Sequence, residues 1–226
     1  MSNTTLERIT IEPKVSAKAC VIWLHGLGDS GAGFAPIVPA LGLGEDHAIR
    51  FVFPHAPEQA VTINGGYVMR AWYDIKSMDL HDRADLSGVL QSEQQILTLI
   101  AEQIASGIPS ENIVLAGFSQ GGVMSLFTAL RLDKKLAGIM ALSCYLPSGD
   151  ALPEALADTN KTTAILQHHG VDDEVVPLSA GSLAHELLKK SGFATSWTTY
   201  NMGHSVVPEQ IRDISNWLQA VLSHVK

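Results

Sequence analysis

Cysteine, basic charge and long apolar runs are all scarce in this chain, and each scarcity closes off a class of protein. Cys20 and Cys144 are the only cysteines among 226 residues. Two thiols cannot build the disulfide framework of a small secreted domain, and they are too few for a thiolate metal site. Both lie in apolar runs, where a cysteine behaves as a small buried hydrophobe. Lys and Arg number 15 against 23 Asp and Glu, a formal net charge of -8, and no basic run interrupts that balance. Such a surface repels phosphate backbones, so no nucleic-acid partner is expected. The longest apolar runs, such as "ACVIWL", fall far short of a bilayer span. The opening "MSNTTLERITIEP" has no apolar stretch behind a charged head, so a secretory signal is not expected there. A cytoplasmic setting fits these features together.

What is present is ample material for a core: 46% of residues are hydrophobic and 17% charged. The length suits one domain over residues 1–226. Seven short apolar runs read as strands: "RITIEP", "ACVIWLH", "IRFVFPH", "NIVLAGFS", "LAGIMALSC", "TTAILQHHG" and "ATSWTTYN". Most lack polar alternation, the mark of strands covered on both faces. Between them lie segments with helical spacing. In residues 86–107 the apolar positions Leu86, Val89, Leu90, Ile96, Leu97, Ile100 and Ile104 recur at steps near three and four, ahead of Gly107 and Pro109. Residues 178–191 and 207–224 read the same way. Strands alternating with helices predict an α/β fold with a mainly parallel sheet. Residues 55–82 are the least regular stretch, and long irregular loops often line binding sites.

Within "VLAGFSQGGVMS", Gly117, Ser119 and Gly121 fit G-x-S-x-G between a strand and a helix. In that setting the pattern is a nucleophile elbow, a turn so tight that flanking side chains would collide. The plainer alternative is a serine that caps the helix. A nucleophilic serine needs a base, which is usually a histidine oriented by a carboxylate, in the chain order Ser, Asp or Glu, His. His204 sits between the last strand and the last helix, where a loop can bring its ring onto the serine. His168 and His169 end a strand-like run, while His185 and His224 suit a surface. The carboxylate is expected in "HGVDDEVVP"; Asp172 and Asp173 stay equivalent on spacing, and Asp150 and Asp158 read as solvated charge. Two oxyanion donors are also required. One is the backbone N–H of Gln120, after the serine. The other is that of Leu27, in the glycine-rich loop "LHGLGDSG" after an early strand. That loop fits neither G-x-G-x-x-G nor the P-loop pattern, which argues against a phosphate site.

Seven blocks in order, "LHGLGDSG", "FPHAP", "WYDI", "GFSQGG", "ALSCYLP", "HGVDDEVVP" and "MGHS", resemble the acyl-protein thioesterase and bacterial carboxylesterase family. The resemblance runs from about residue 20 to about residue 205. It implies an α/β-hydrolase fold without a large lid domain and cofactor-free hydrolysis of carboxylic esters and thioesters. It puts the acid on Asp173, beside Ser119 as nucleophile, His204 as base, and Leu27 and Gln120 as oxyanion donors. It implies an acyl channel lined by Met69, Trp72, Tyr73, Leu146 and Pro147. The implied partners are small acyl esters or thioesters, acylated proteins or lysophospholipids. A homodimer would shield an apolar channel mouth. A binding-only protein on the same fold would be expected to break the Ser-Asp-His set, and here all three types are present.

Overall fold

Strands without polar alternation must be covered on both faces, and helices supply that cover here. The computed structural model describes residues 6–77, 84–147 and 156–225. Its strands are β1 (Arg8–Ile11), β2 (Ala19–Leu24), β3 (Ile49–Pro54), β4 (Glu58–Val61), β5 (Tyr67–Arg70), β6 (Ile113–Phe118), β7 (Gly138–Leu142), β8 (Ala164–Gly170) and β9 (Thr195–Tyr200). Its helices are α1 (Gly31–Phe34), α2 (Ile37–Ala40), α3 (Leu86–Ala105), α4 (Gln120–Arg131), α5 (Leu178–Lys190) and α6 (Pro208–Val221). All seven apolar runs become strands of one sheet, in the order β1-β3-β2-β6-β7-β8-β9. β1 is antiparallel to β3, and the other pairs are parallel.

Residues of β2 alternate between two cores. Cys20, Ile22 and Leu24 face α3 and α4, through residues such as Val89, Ile96, Val123 and Phe127. Ala19, Val21 and Trp23 face α6, through Ile214 and Leu218. From β2 the chain steps outward to β3 on one side, and from β6 it proceeds outward to β9 on the other. Strand order therefore reverses between β2 and β6, and ligands of open α/β sheets bind at the carboxyl ends of such a pair. Leu24 lies opposite Gly117 in register, so the loop that starts at His25 and the turn at Ser119 emerge side by side.

The structure departs from the sequence reading in two places. The stretch expected to be irregular contains a hairpin: β4 and β5 pair through a short helical turn, with Gly65 and Gly66 at φ 67 and 79°. These strands have four residues each, half of them exposed, and make no long apolar run. "INGG" was the available turn signal. Residues 78–82 of that stretch, and Asp150, lie outside the described residues. In α3 the buried stripe is Val89, Ser92, Glu93, Ile96, Leu99, Ile100 and Gln103, whereas Leu86 and Leu90 are exposed. The stripe is rotated toward Glu93 because that carboxylate pairs with Arg131 Nε of α4 at 2.8 Å.

Asn160, in the turn before β8, is fully buried. Its Oδ1 accepts from Leu136 N (2.9 Å) and Thr163 Oγ1 (2.9 Å), and its Nδ2 donates to Ala129 O (3.1 Å) and Lys134 O (3.0 Å). Removing the amide leaves several buried groups unpaired. Asn160→Ala is expected to lower stability by about 3 kcal/mol in urea unfolding, with activity per folded molecule unchanged.

Candidate active site

Ser119 stands between β6 and α4 at φ 55, ψ -120, a region that L-residues rarely occupy. The glycines make this turn possible. A Cβ at Gly117 would lie 2.1 Å from Gly121 O, and one at Gly121 would lie 2.2 Å from Leu24 O. Both contacts are with backbone, which cannot move aside. Two bonds hold the turn: Ser119 N donates to Leu142 O (2.8 Å), and Val123 N donates to Ser119 O (3.0 Å). The helix-cap alternative fails on geometry, because the serine side chain makes no capping bond. The serine is half-buried and follows β6 at the carboxyl edge of the sheet.

Of the five histidines after Ser119, His204 is the one hydrogen-bonded to a buried carboxylate. Its Nδ1 lies 2.8 Å from Asp173 Oδ2. The Asp173 side chain is fully buried and that of His204 is 16% exposed. The other carboxylate oxygen, Oδ1, accepts from Val175 N (2.9 Å) and Val176 N (2.8 Å). These bonds orient the carboxylate. Asp172, equivalent to its neighbour on spacing, is exposed. The His204 ring rests on Phe118, the residue before the serine, with centroids 4.7 Å apart. No bond between the serine hydroxyl and His204 is formed among the described residues. Such bonds commonly tighten only in the substrate complex.

The competing histidines are committed elsewhere. His169 Nε2 is 2.8 Å from Val176 O, a carbonyl that can only accept, so that nitrogen carries a proton. The same Nε2 lies 3.6 Å from Asp173 Oδ2. Burial pushes His168 down to about 4, and its ring packs edge-on against Tyr200. His185 contacts Gln167 and Trp197, and His224 contacts Asn112.

Leu27 lies in the loop after β2, and Gly28 N of that loop donates to Arg70 O (2.8 Å). Gln120 begins α4, and its side chain is buried. It accepts from Trp72 N (2.8 Å) and donates to Tyr73 O (2.7 Å). This clamp explains where Trp72 and Tyr73 go: they are 1% and 0% exposed, with Trp72 Nε1 on His25 O (2.8 Å) and the Tyr73 hydroxyl 3.2 Å from that of Tyr145. Pro147 is also buried. Met69 and Leu146 are the part-exposed members of the expected channel set. Met69 Sδ lies 3.6 Å from where a Cβ on Gly28 would stand, next to the Leu27 loop. Sequence reasoning missed His25, whose only cue was its position at the end of a strand.

Burial pushes the Cys20 thiol up to about 12 and the Cys144 thiol up as well, so neither is a ready thiolate nucleophile. Among the described residues no group of three or more His, Cys, Asp and Glu side chains could hold a metal ion. No described helix is long and apolar enough to cross a membrane.

The chain is similar to known proteins. The chain is 40% identical over 216 residues to acyl-protein thioesterase 1 of Neurospora crassa, covering 92% of this chain and 88% of that one. It is 35% identical over 212 residues to a probable carboxylesterase of Oryza sativa, covering 92% and 79%. The crystal structure of Arabidopsis thaliana SOBER1 superposes with a TM-score of 0.86 at 34% identity, covering 91% of this chain and all of that one. Residues 6–222 match the phospholipase/carboxylesterase family, and with these relatives the match shows that the chain belongs to that family of α/β-hydrolases.

Proposed function

We propose that this protein hydrolyses carboxylic esters and thioesters of acyl groups through Ser119, His204 and Asp173. The observation that carries the reading is the 2.8 Å bond from His204 to a fully buried, doubly hydrogen-bonded Asp173, with the His204 ring packed on Phe118, the residue before a strained, uncapping serine. Asp173 Oδ2 accepts the Nδ1 proton of His204, which leaves Nε2 with a free lone pair. Nε2 takes the Ser119 proton as Oγ attacks the acyl carbonyl. The backbone N–H groups of Leu27 and Gln120 donate to the resulting oxyanion. The tetrahedral intermediate collapses, and the alcohol or thiol leaves with the proton from Nε2. Water, deprotonated by the same nitrogen, cleaves the acyl-enzyme and restores the serine. Met69, next to the Leu27 loop, and Leu146, part-exposed, are the residues proposed to meet the acyl chain.

Relatives named acyl-protein thioesterase and carboxylesterase support both leaving-group classes. Two free buried thiols suit the reducing cytoplasm. The test is kcat/KM for p-nitrophenyl esters from acetyl to palmitoyl, each beside a Ser119→Ala control. Turnover that depends on Ser119 is expected. Values rising with length would favour lipid or acyl-protein substrates, and a peak at short chains would favour small esters. Turnover that is the same in both proteins at every length would sink the proposal.

A further inference from the structure

His25 follows β2 directly, and its imidazole has no exposed surface. Its two nitrogens meet partners of opposite kinds. Ala56 N, a group that can only donate, is 3.0 Å from Nε2. Gly26 O, a group that can only accept, is 2.7 Å from Nδ1. Both demand the same neutral tautomer, with the proton on Nδ1. Burial lowers the pKa of this ring, which favours that neutral form.

The carbonyl that His25 holds belongs to the Gly26–Leu27 peptide group, whose nitrogen is Leu27 N. A trans peptide is planar, with its N–H antiparallel to its C=O. Anchoring Gly26 O on one side therefore aims Leu27 N–H toward the other. Asp29 N adds a second donor to the same oxygen, at 3.3 Å. Gly26 also lies against the elbow: a Cβ placed on it would stand 3.4 Å from Ser119 Cβ. The network continues from His25 O to Trp72 Nε1 and from Trp72 N to the Gln120 side chain. One run of buried hydrogen bonds thus joins the Leu27 peptide to Gln120.

We propose that His25 is a positioning residue that sets the direction of Leu27 N–H through its bond to Gly26 O, with Trp72 tying that loop to Gln120. The proposal rests on the reading of Leu27 and Gln120 as oxyanion donors. A glycine-rich loop left to itself samples many directions. An oxyanion donor acts only when it is held in place before the charge develops.

The test compares His25→Leu with His25→Asn in the full chain, using p-nitrophenyl butyrate and counting active sites by fluorophosphonate labelling. Leucine removes both bonds. It is expected to lower kcat per labelled site by about 10- to 100-fold, part of the effect of losing one oxyanion donor, with KM within about threefold. Asparagine places its amide nitrogen where Nδ1 stood and can still donate to Gly26 O, although nothing replaces Nε2. It is expected to return kcat to within about fivefold of wild type while melting as early as the leucine variant. Trp72→Phe, which keeps an aromatic ring and loses the indole N–H, is expected to lower kcat several-fold and provides the readout if His25→Leu does not fold. Unchanged kcat per labelled site in His25→Leu or, failing that variant, in Trp72→Phe, beside an active wild type, would overturn the proposal. So would an asparagine variant no better than leucine. A wild type without Ser119-dependent turnover would instead remove the oxyanion reading beneath it.

Discussion

Ser119→Ala is expected to lower kcat for p-nitrophenyl esters by on the order of 10⁴ or more and to leave the protein folded. Both halves follow from the turn. The backbone at φ 55, ψ -120 is held by Ser119 N on Leu142 O and by Val123 N on Ser119 O, and alanine keeps both bonds. The hydroxyl caps nothing, so its loss leaves no orphaned helix donor. What disappears is the one atom that can form the acyl-enzyme. Any residual rate would come from the oxyanion donors and binding alone. Ser119→Gly sharpens the test. It should be equally inactive, yet more stable by about 1 kcal/mol, because glycine adopts this φ without strain. A chain that gains stability on losing its serine is holding a strained residue for a purpose other than folding. Circular dichroism and thermal melts of both variants supply the stability half, and single-turnover kinetics the other. Turnover in either variant above about one part in a hundred of wild type would remove Ser119 from the mechanism.

Much of this was legible in the chain because the strands are continuous apolar runs and the elbow has a local signature. Each of those features is determined within about ten residues. What depended on orientation was not legible. Asp172 and Asp173 have the same spacing to everything else, and only the folded loop turns one outward and seals the other against His204. Without the family resemblance, that choice stayed open. His168 and His169 could be ranked below His204 by chain order, but not the reason: they are strand residues whose rings are packed inside the sheet. The hairpin escaped because its strands are short, half-exposed and partly polar. Trp72 and Tyr73, expected beside the acyl chain, are buried: their backbone groups hold the Gln120 side chain, and the Trp72 indole donates to His25 O. His25 was the least legible of all. Its partners Ala56 and Trp72 are 31 and 47 residues away along the chain, and no local pattern carries such a relation.

Asp173→Asn is expected to cost about 10⁴ in kcat with little loss of stability, and the reason lies in the bonds to its second oxygen. Val175 N and Val176 N both donate to Oδ1. An asparagine must keep its oxygen there, since an NH₂ would face two N–H donors. Its NH₂ is then forced into the position of Oδ2, 2.8 Å from His204 Nδ1. A donor at that position requires Nδ1 to accept, so the His204 proton moves to Nε2. A ring protonated on Nε2 has no lone pair to offer Ser119, and the nucleophile stays a neutral alcohol. The substitution thus acts through the tautomer and leaves the shape alone. Asp173→Ala separates these effects: it leaves two backbone donors unpaired and should lose about 2–3 kcal/mol of stability besides. Nitrogen NMR of His204 reads the tautomer directly and should report Nδ1–H in the wild type and Nε2–H in the asparagine variant. If the asparagine variant keeps more than about a tenth of the wild-type kcat, Asp173 does not orient the base. His169, with its Nε2 3.6 Å from the same carboxylate oxygen, would then be the next residue to replace.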